Sequence, residues 1–135
     1  MEFFVFPEPA LNTEGIARKD ALEIAAKLRS ERVVVLAERL ETVLAANLPD
    51  DVSVIDFMSI DVEGGEMAVL KSNDWTRFRP RVIVIEVLDR VLSNLGESEE
   101  ICFLQGLGYV PVSMLYHSVV LVGDESLLTT HWPPI

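Results

Sequence analysis

Three carboxylates stand where apolar sequence breaks. Asp61 and Glu63 follow "IDFMSI", and Glu86 follows "RVIVI". Gly64 and Gly65 come next after Glu63, and a glycine pair lets the backbone turn sharply there. A carboxylate at such a break can take a proton from a hydroxyl or orient a polar substrate. A trio of acids also suits a divalent cation, which prefers oxygen ligands. Three acids on two strands do not define octahedral spacing, so the metal reading ranks below acid–base chemistry. Strands also end in polar residues simply because they reach solvent, and a Gly-Gly pair is more often a turn than a ligand loop. His117 and His131 are further candidate bases, although a lone exposed histidine is more often inert. Cys102 falls beside the inward face of a helical stretch and reads as packing.

The elements around these acids follow from hydrophobic patterning. "EFFVF" reads as a short strand stopped by Pro7 and Pro9. A helix is expected from about Ala17 to Arg29, with Ala21, Ile24, Ala25 and Leu28 on one face. A strand follows over 32–37. Leu40, Val43, Leu44 and Leu48 then make a helical face that Pro49 ends. Residues 54–62 and 81–88 are near-continuous apolar runs, the pattern of strands buried on both faces in a parallel sheet. A short helix over 66–72 and a loop anchored by Trp75 and Phe78 join them, as in a right-handed βαβ unit. A helix over 97–107 stops at Gly108. Strands at 109–115 and 118–122 form a hairpin across "YHS". In an open α/β sheet, ligands bind outside the carboxyl ends of the strands. Asp61, Glu63 and Glu86 are therefore expected to cluster along one such edge.

Composition limits the partners. The chain has 135 residues, the size of one domain, and 22 acids against 11 bases, for a net charge of -11. Such a surface repels phosphate backbones and argues against nucleic-acid binding. A single cysteine precludes an intrachain disulfide and fits a reducing, cytoplasmic setting. No apolar run approaches the roughly 18 residues of a membrane span, and the N-terminus lacks the charged region of a signal peptide.

The stretch "IDFMSIDVEGGEMAVLKSNDWTRFRPRVIVIEV" resembles the signature of the FkbM-type methyltransferases. In that family a strand ending I-D-V-E-G precedes E-x-x-V-L-K/R, an aromatic loop, and R-P-x-V-I-x-x-E. The matching positions here are Asp61, Val62, Glu63 and Gly64; Glu66, Val69, Leu70 and Lys71; Trp75; and Arg79, Pro80 and Glu86. The flanks "FFVFPEPALNT" and "FLQGLGYVPV" are similar to the family more weakly. The resemblance implies a class I, Rossmann-like α/β sheet that binds S-adenosylmethionine and methylates a hydroxyl on a small molecule or glycan. It implies catalytic roles for Asp61 and Glu63, and cofactor contacts from Asp61, Gly64 and Glu86. By the same analogy, 54–62 and 81–88 are the fourth and fifth of seven strands, and the hairpin supplies the sixth and the antiparallel seventh.

One departure from the family matters. None of the seven glycines forms a G-x-G that follows a strand and opens a helix, the cradle for the cofactor's methionine end. Its G-x-G, Gly106 to Gly108, ends a helix. The chain therefore reads as the C-terminal portion of a single methyltransferase domain, short of roughly 80–100 residues if three βα units are wanting. Two expectations follow: the chain alone is inactive, and its open sheet edge favours self-association. A non-catalytic binding or assembly unit is the rival reading. An aspartyl phosphotransferase, with D-x-D ending a strand, fits less well, since the second position is Glu63 and no Thr follows.

Overall fold

The computed structural model describes residues 2–5, 19–20, 29–52, 54–88 and 92–123. Its contacts divide into two compact units, Met1–Glu38 with Val62–Gly65, and Arg39–Asp61 with Glu66–Ile135. In the first, β1 (Glu2–Val5) pairs antiparallel with β2 (Glu31–Val34). The second strand is shorter than the 32–37 run suggests, and Leu36 is 89% exposed. Most of the helix expected over 17–29 lies outside the described residues, although Lys19 and Asp20 are helical.

The second unit holds a four-stranded mixed sheet ordered β3-β4-β6-β5. Its members are β3 (Ile55–Ile60), β4 (Pro80–Glu86), β5 (Val110–Leu115) and β6 (Ser118–Val122). β3 and β4 run parallel, whereas β6 lies antiparallel to both β4 and β5. Helices α1 (Leu40–Asn47), α2 (Glu66–Lys71) and α3 (Glu99–Gly106) complete the unit, with a 3-10 segment over Leu92–Glu97. The helix expected over 97–107 thus starts later. Ser98 ends the 3-10 segment and caps α3, its Oγ accepting from the Ile101 N–H at 3.3 Å.

The core lies on one face of this sheet. Register aligns Ile60 with Ile85 and Ile85 with Val119, all at most 3% exposed. Leu70 from α2 and Ile101 and Leu104 from α3 close over that face, together with Leu95 and Tyr109. The other face is only half-covered. Val82, Val84, Val120 and Val122 form two cross-strand pairs there and are all half-buried. The two-sided burial expected of both apolar runs is therefore corrected. β4 is central, but β3 is an edge strand among the described residues, with Phe57 57% exposed and Ile60 its one buried residue. The physical reason is neighbour count: an apolar run does not reveal whether a second strand and a second helical layer exist to cover it.

Local hydrogen bonds fix the link between the two parallel strands. The Trp75 indole donates to the Leu70 carbonyl at 2.8 Å, closing the end of α2. Its ring meets Phe103 and Tyr109 edge-on, with centroids 6.2 and 6.0 Å apart. Phe78 is buried, so both expected loop anchors are seated. At the far end of α3 the Gly108 N–H bonds to Gln105 O and the Tyr109 N–H to Leu104 O, the paired pattern of a Schellman stop. Gly108 has φ +86, as that stop requires.

Candidate functional site

Parallel register explains how two of the acids meet. Ile60 lies beside Ile85, so the next residues in step are Asp61 and Glu86. The third carboxylate comes from α2. Glu66 opens that helix four residues before Leu70, and residues four apart share a helix face. Burying Leu70 against the sheet therefore carries Glu66 inward, to 5% exposed. Carboxylate oxygens of Asp61, Glu66 and Glu86 all lie within 4.8 Å of one another. Asp61 is exposed and Glu86 half-buried, so the cluster opens to solvent on one side.

The expected trio had Glu63 where the structure has Glu66. Glu63 and Gly64 are instead the central residues of a turn in which Gly65 N–H bonds to Val62 O at 3.3 Å. Both have positive φ, +55 and +107. Gly64 adopts that conformation freely, but Glu63 does so at a cost of about 1–2 kcal/mol. These turn residues belong to the first compact unit, while Asp61, Glu66 and Glu86 belong to the second. Glu66 was legible as a motif residue. Its i,i+4 relation to Leu70 was the signal that it points inward.

The rest of the motif is structural. The Arg79 guanidinium donates to the Leu107 carbonyl and lies 5.1 Å from the centre of the Tyr109 ring. The Tyr109 hydroxyl donates to the Pro80 carbonyl at 2.6 Å. Arg79-Pro80 and Gly108-Tyr109 thus clasp each other across the start of β4 and the end of α3. Burial pushes the Tyr109 phenol up to about 12, with the charge of Arg79 opposing. In the aromatic loop the Thr76 hydroxyl and N–H both donate to Asp74, at 2.6 and 3.0 Å, and hold its carboxyl below the usual range. Ser72 accepts from the Leu40 N–H at 3.0 Å and donates to Val69 O at 2.8 Å, tying α1 to α2.

Of the remaining candidates, His117 sits at the acid end of the sheet, where the neighbouring Ser118 pairs with Glu86 in register. His117 is half-buried in the hairpin turn, its ring 4.1 Å from that of Tyr116 and its carbonyl accepting from the Val87 N–H at 2.7 Å. His131 lies outside the described residues. Cys102, expected to pack, is exposed, with its Sγ 3.2 Å from the Gly96 carbonyl. It falls on the flank of α3 that faces away from Ile101 and Leu104. Among the described residues no helix is long and apolar enough to cross a membrane.

No curated protein and no solved structure matches the chain. A family model does: the methyltransferase FkbM domain matches residues 5–111, which span the acids, the strained turn and the Arg79–Tyr109 clasp. An acid-ended parallel strand pair, joined through a helix-opening glutamate and an aromatic loop, is thus built from the residues that the family pattern contains, and the chain belongs to the FkbM methyltransferase family.

Proposed function

We propose that this chain contributes to S-adenosylmethionine-dependent methylation of a hydroxyl on a small molecule or glycan. The observation that carries the reading is the meeting of Asp61, Glu66 and Glu86 beyond the carboxyl ends of β3 and β4, in a chain of this family. The strand order supports a class I, Rossmann-like sheet: an antiparallel last strand sits between two others, as expected of the fourth to seventh strands of seven. The carboxylates fit a positively charged sulfonium. The glycine-rich cradle for the rest of the cofactor is not among the seven glycines. When bound, the cofactor supplies an activated methyl group.

In this reading Asp61, the exposed member, takes the acceptor's hydroxyl proton as the oxygen is alkylated. Glu86 and Glu66 hold the polar surroundings, Glu86 toward the cofactor. Catalytic and cofactor roles for Glu63 and Gly64 rest on the motif and on the strained backbone at Glu63. One rival is a binding or assembly unit without activity of its own. Calorimetric titration of S-adenosylmethionine separates the two. The 135-residue chain is expected to show no measurable heat, and a chain extended upstream by a glycine-rich strand–turn–helix is expected to bind and to transfer methyl groups. Lack of binding by the extended chain would leave the rival. Tight binding by the short chain would place the cofactor elsewhere and remove the roles given to Asp61 and Glu63.

A further inference from the structure

Basic residues are scarce in this chain, at 11 of 135, yet three of them alternate through the approach to β4. Arg77, Arg79 and Arg81 all line one cavity of about 550 Å³. Much of the remaining lining is apolar, including Leu44 from α1, Leu48 just after it and Val54 ahead of β3. The state of α1 is part of this picture. None of its residues is buried, and Leu44 and the capping Leu48 are half-buried. Asp50 is the one acid in the lining, so positive charge dominates.

The three guanidinium groups are differently committed. Arg81 pairs with the exposed Asp56 at 2.9 Å. Arg79 is held by the Leu107 carbonyl and the Tyr109 ring. Arg77 is exposed, lies 4.7 Å from the centre of the Phe78 ring, and has no carboxylate within 4 Å among the described residues, although its charge reaches the Asp74 carboxyl of the same loop. It can therefore turn to a new anion without breaking an ion pair. The cavity borders the starts of β3 and β4, at Ile55 and Arg81, whereas Asp61 follows the end of β3 and Glu86 closes β4. Six residues of strand, about 20 Å, separate the two places.

We infer that this cavity binds a small amphipathic anion: a phosphate or carboxylate head at Arg77, and a short apolar body along Leu44, Leu48 and Val54. The volume lies within the roughly 300–1,000 Å³ of small-molecule sites, and apolar walls with a few charged donors are their usual make-up. Arginine suits either head because its donor fork matches both. The inference does not depend on methyl transfer.

The test uses the isotope-labelled 135-residue chain and follows backbone amide shifts during titration with octyl phosphate, octanoate, octanol and inorganic phosphate. Octyl phosphate or octanoate is expected to give saturable shifts at Leu44, Leu48 and Arg77, and whichever binds tighter names the head group. Octanol and inorganic phosphate are expected to bind at least about tenfold more weakly, each lacking one half of the interaction. Arg77→Ala should weaken binding about tenfold while the rest of the spectrum stays unchanged, since the side chain is exposed. Leu48→Glu should abolish it. Equal binding of octanol, no saturable shift at millimolar ligand, shifts at Asp61 and Glu86 instead, or indifference to both substitutions would each overturn the proposal. So would contacts in the free protein showing that the chain's own segments already fill the cavity.

Discussion

Single residues in this chain separate chemistry from structure. Asp61 is exposed, so Asp61→Asn should leave the thermal midpoint nearly unchanged. In an active, upstream-extended enzyme, the same change should lower methyl transfer by about 10²–10⁴-fold, the usual worth of a positioned base. Equal activity would deny Asp61 that role. Glu63 makes the complementary case. Its φ of +55 is costly for a residue that carries a Cβ but not for glycine, so Glu63→Gly should stabilise the chain by up to about 1 kcal/mol in denaturant unfolding. A stabilised but inactive variant would show that the strain is kept for function. Tyr109 belongs wholly to structure. Its folded pKa, about 12, lies above the unfolded value of 10.0, so its contribution is present in full below pH 10 and fades as pH rises towards 12. That is on the order of 2–3 kcal/mol across the window. Tyr109→Phe should cost about 1–2 kcal/mol at neutral pH, through the unmet Pro80 carbonyl, and should flatten the stability–pH curve between pH 10 and 12. An unchanged alkaline slope would assign the titration elsewhere.

At the scale of elements, the stop of α3 is the sharpest test. Gly108 sits at φ +86, and a Cβ there would come within 3.4 Å of the Arg79 Nη2. Gly108→Ala should destabilise by about 1–2 kcal/mol, mostly through the backbone. Gly96→Ala, whose Cβ would meet nothing within 4 Å, serves as the control and should stay within about 0.5 kcal/mol. Equal losses at both would remove the backbone argument. Much of this layer was legible beforehand. The hairpin, the helix stop at Gly108, the anchors Trp75 and Phe78, and the parallel pairing of β3 and β4 all follow from local patterns of apolar and turn residues. The edge position of β3 did not, because "IDFMSI" carries the same apolar content whether or not another strand lies beside it. Nor did the inward turn of Glu66, since an acid at a helix start ordinarily reads as a solvated complement to the helix dipole. The meeting of Asp61 and Glu86 needed only the parallel register. The third member needed tertiary packing.

For the whole molecule, an open sheet edge would govern behaviour in solution. β3 presents an unpaired edge among the described residues, with Phe57 57% exposed beside it and Val54 41% exposed ahead of it. Exposed apolar edges template further strands. Sedimentation velocity should therefore show concentration-dependent association, opposed in part by the net charge of -11 and strengthened by added salt as that charge is screened. Phe57→Lys should shift the sample to monomer, since a charge on an edge strand discourages pairing. A monomer at every concentration and salt level would count against an open edge in solution.

The seating of Trp75 also has an optical consequence. Its indole is tethered to the end of α2 and stands 6.0 Å from the Tyr109 ring, which the hydrogen bond to Pro80 in turn holds to β4. At that separation, radiationless transfer from phenol to indole outruns tyrosine emission. With Trp132 replaced by Phe, light absorbed by Tyr109 should emerge as Trp75 fluorescence only while α2, α3 and the start of β4 remain docked. Loss of that sensitised emission, followed in time, would report the parting of those three pieces of chain in a single colour change.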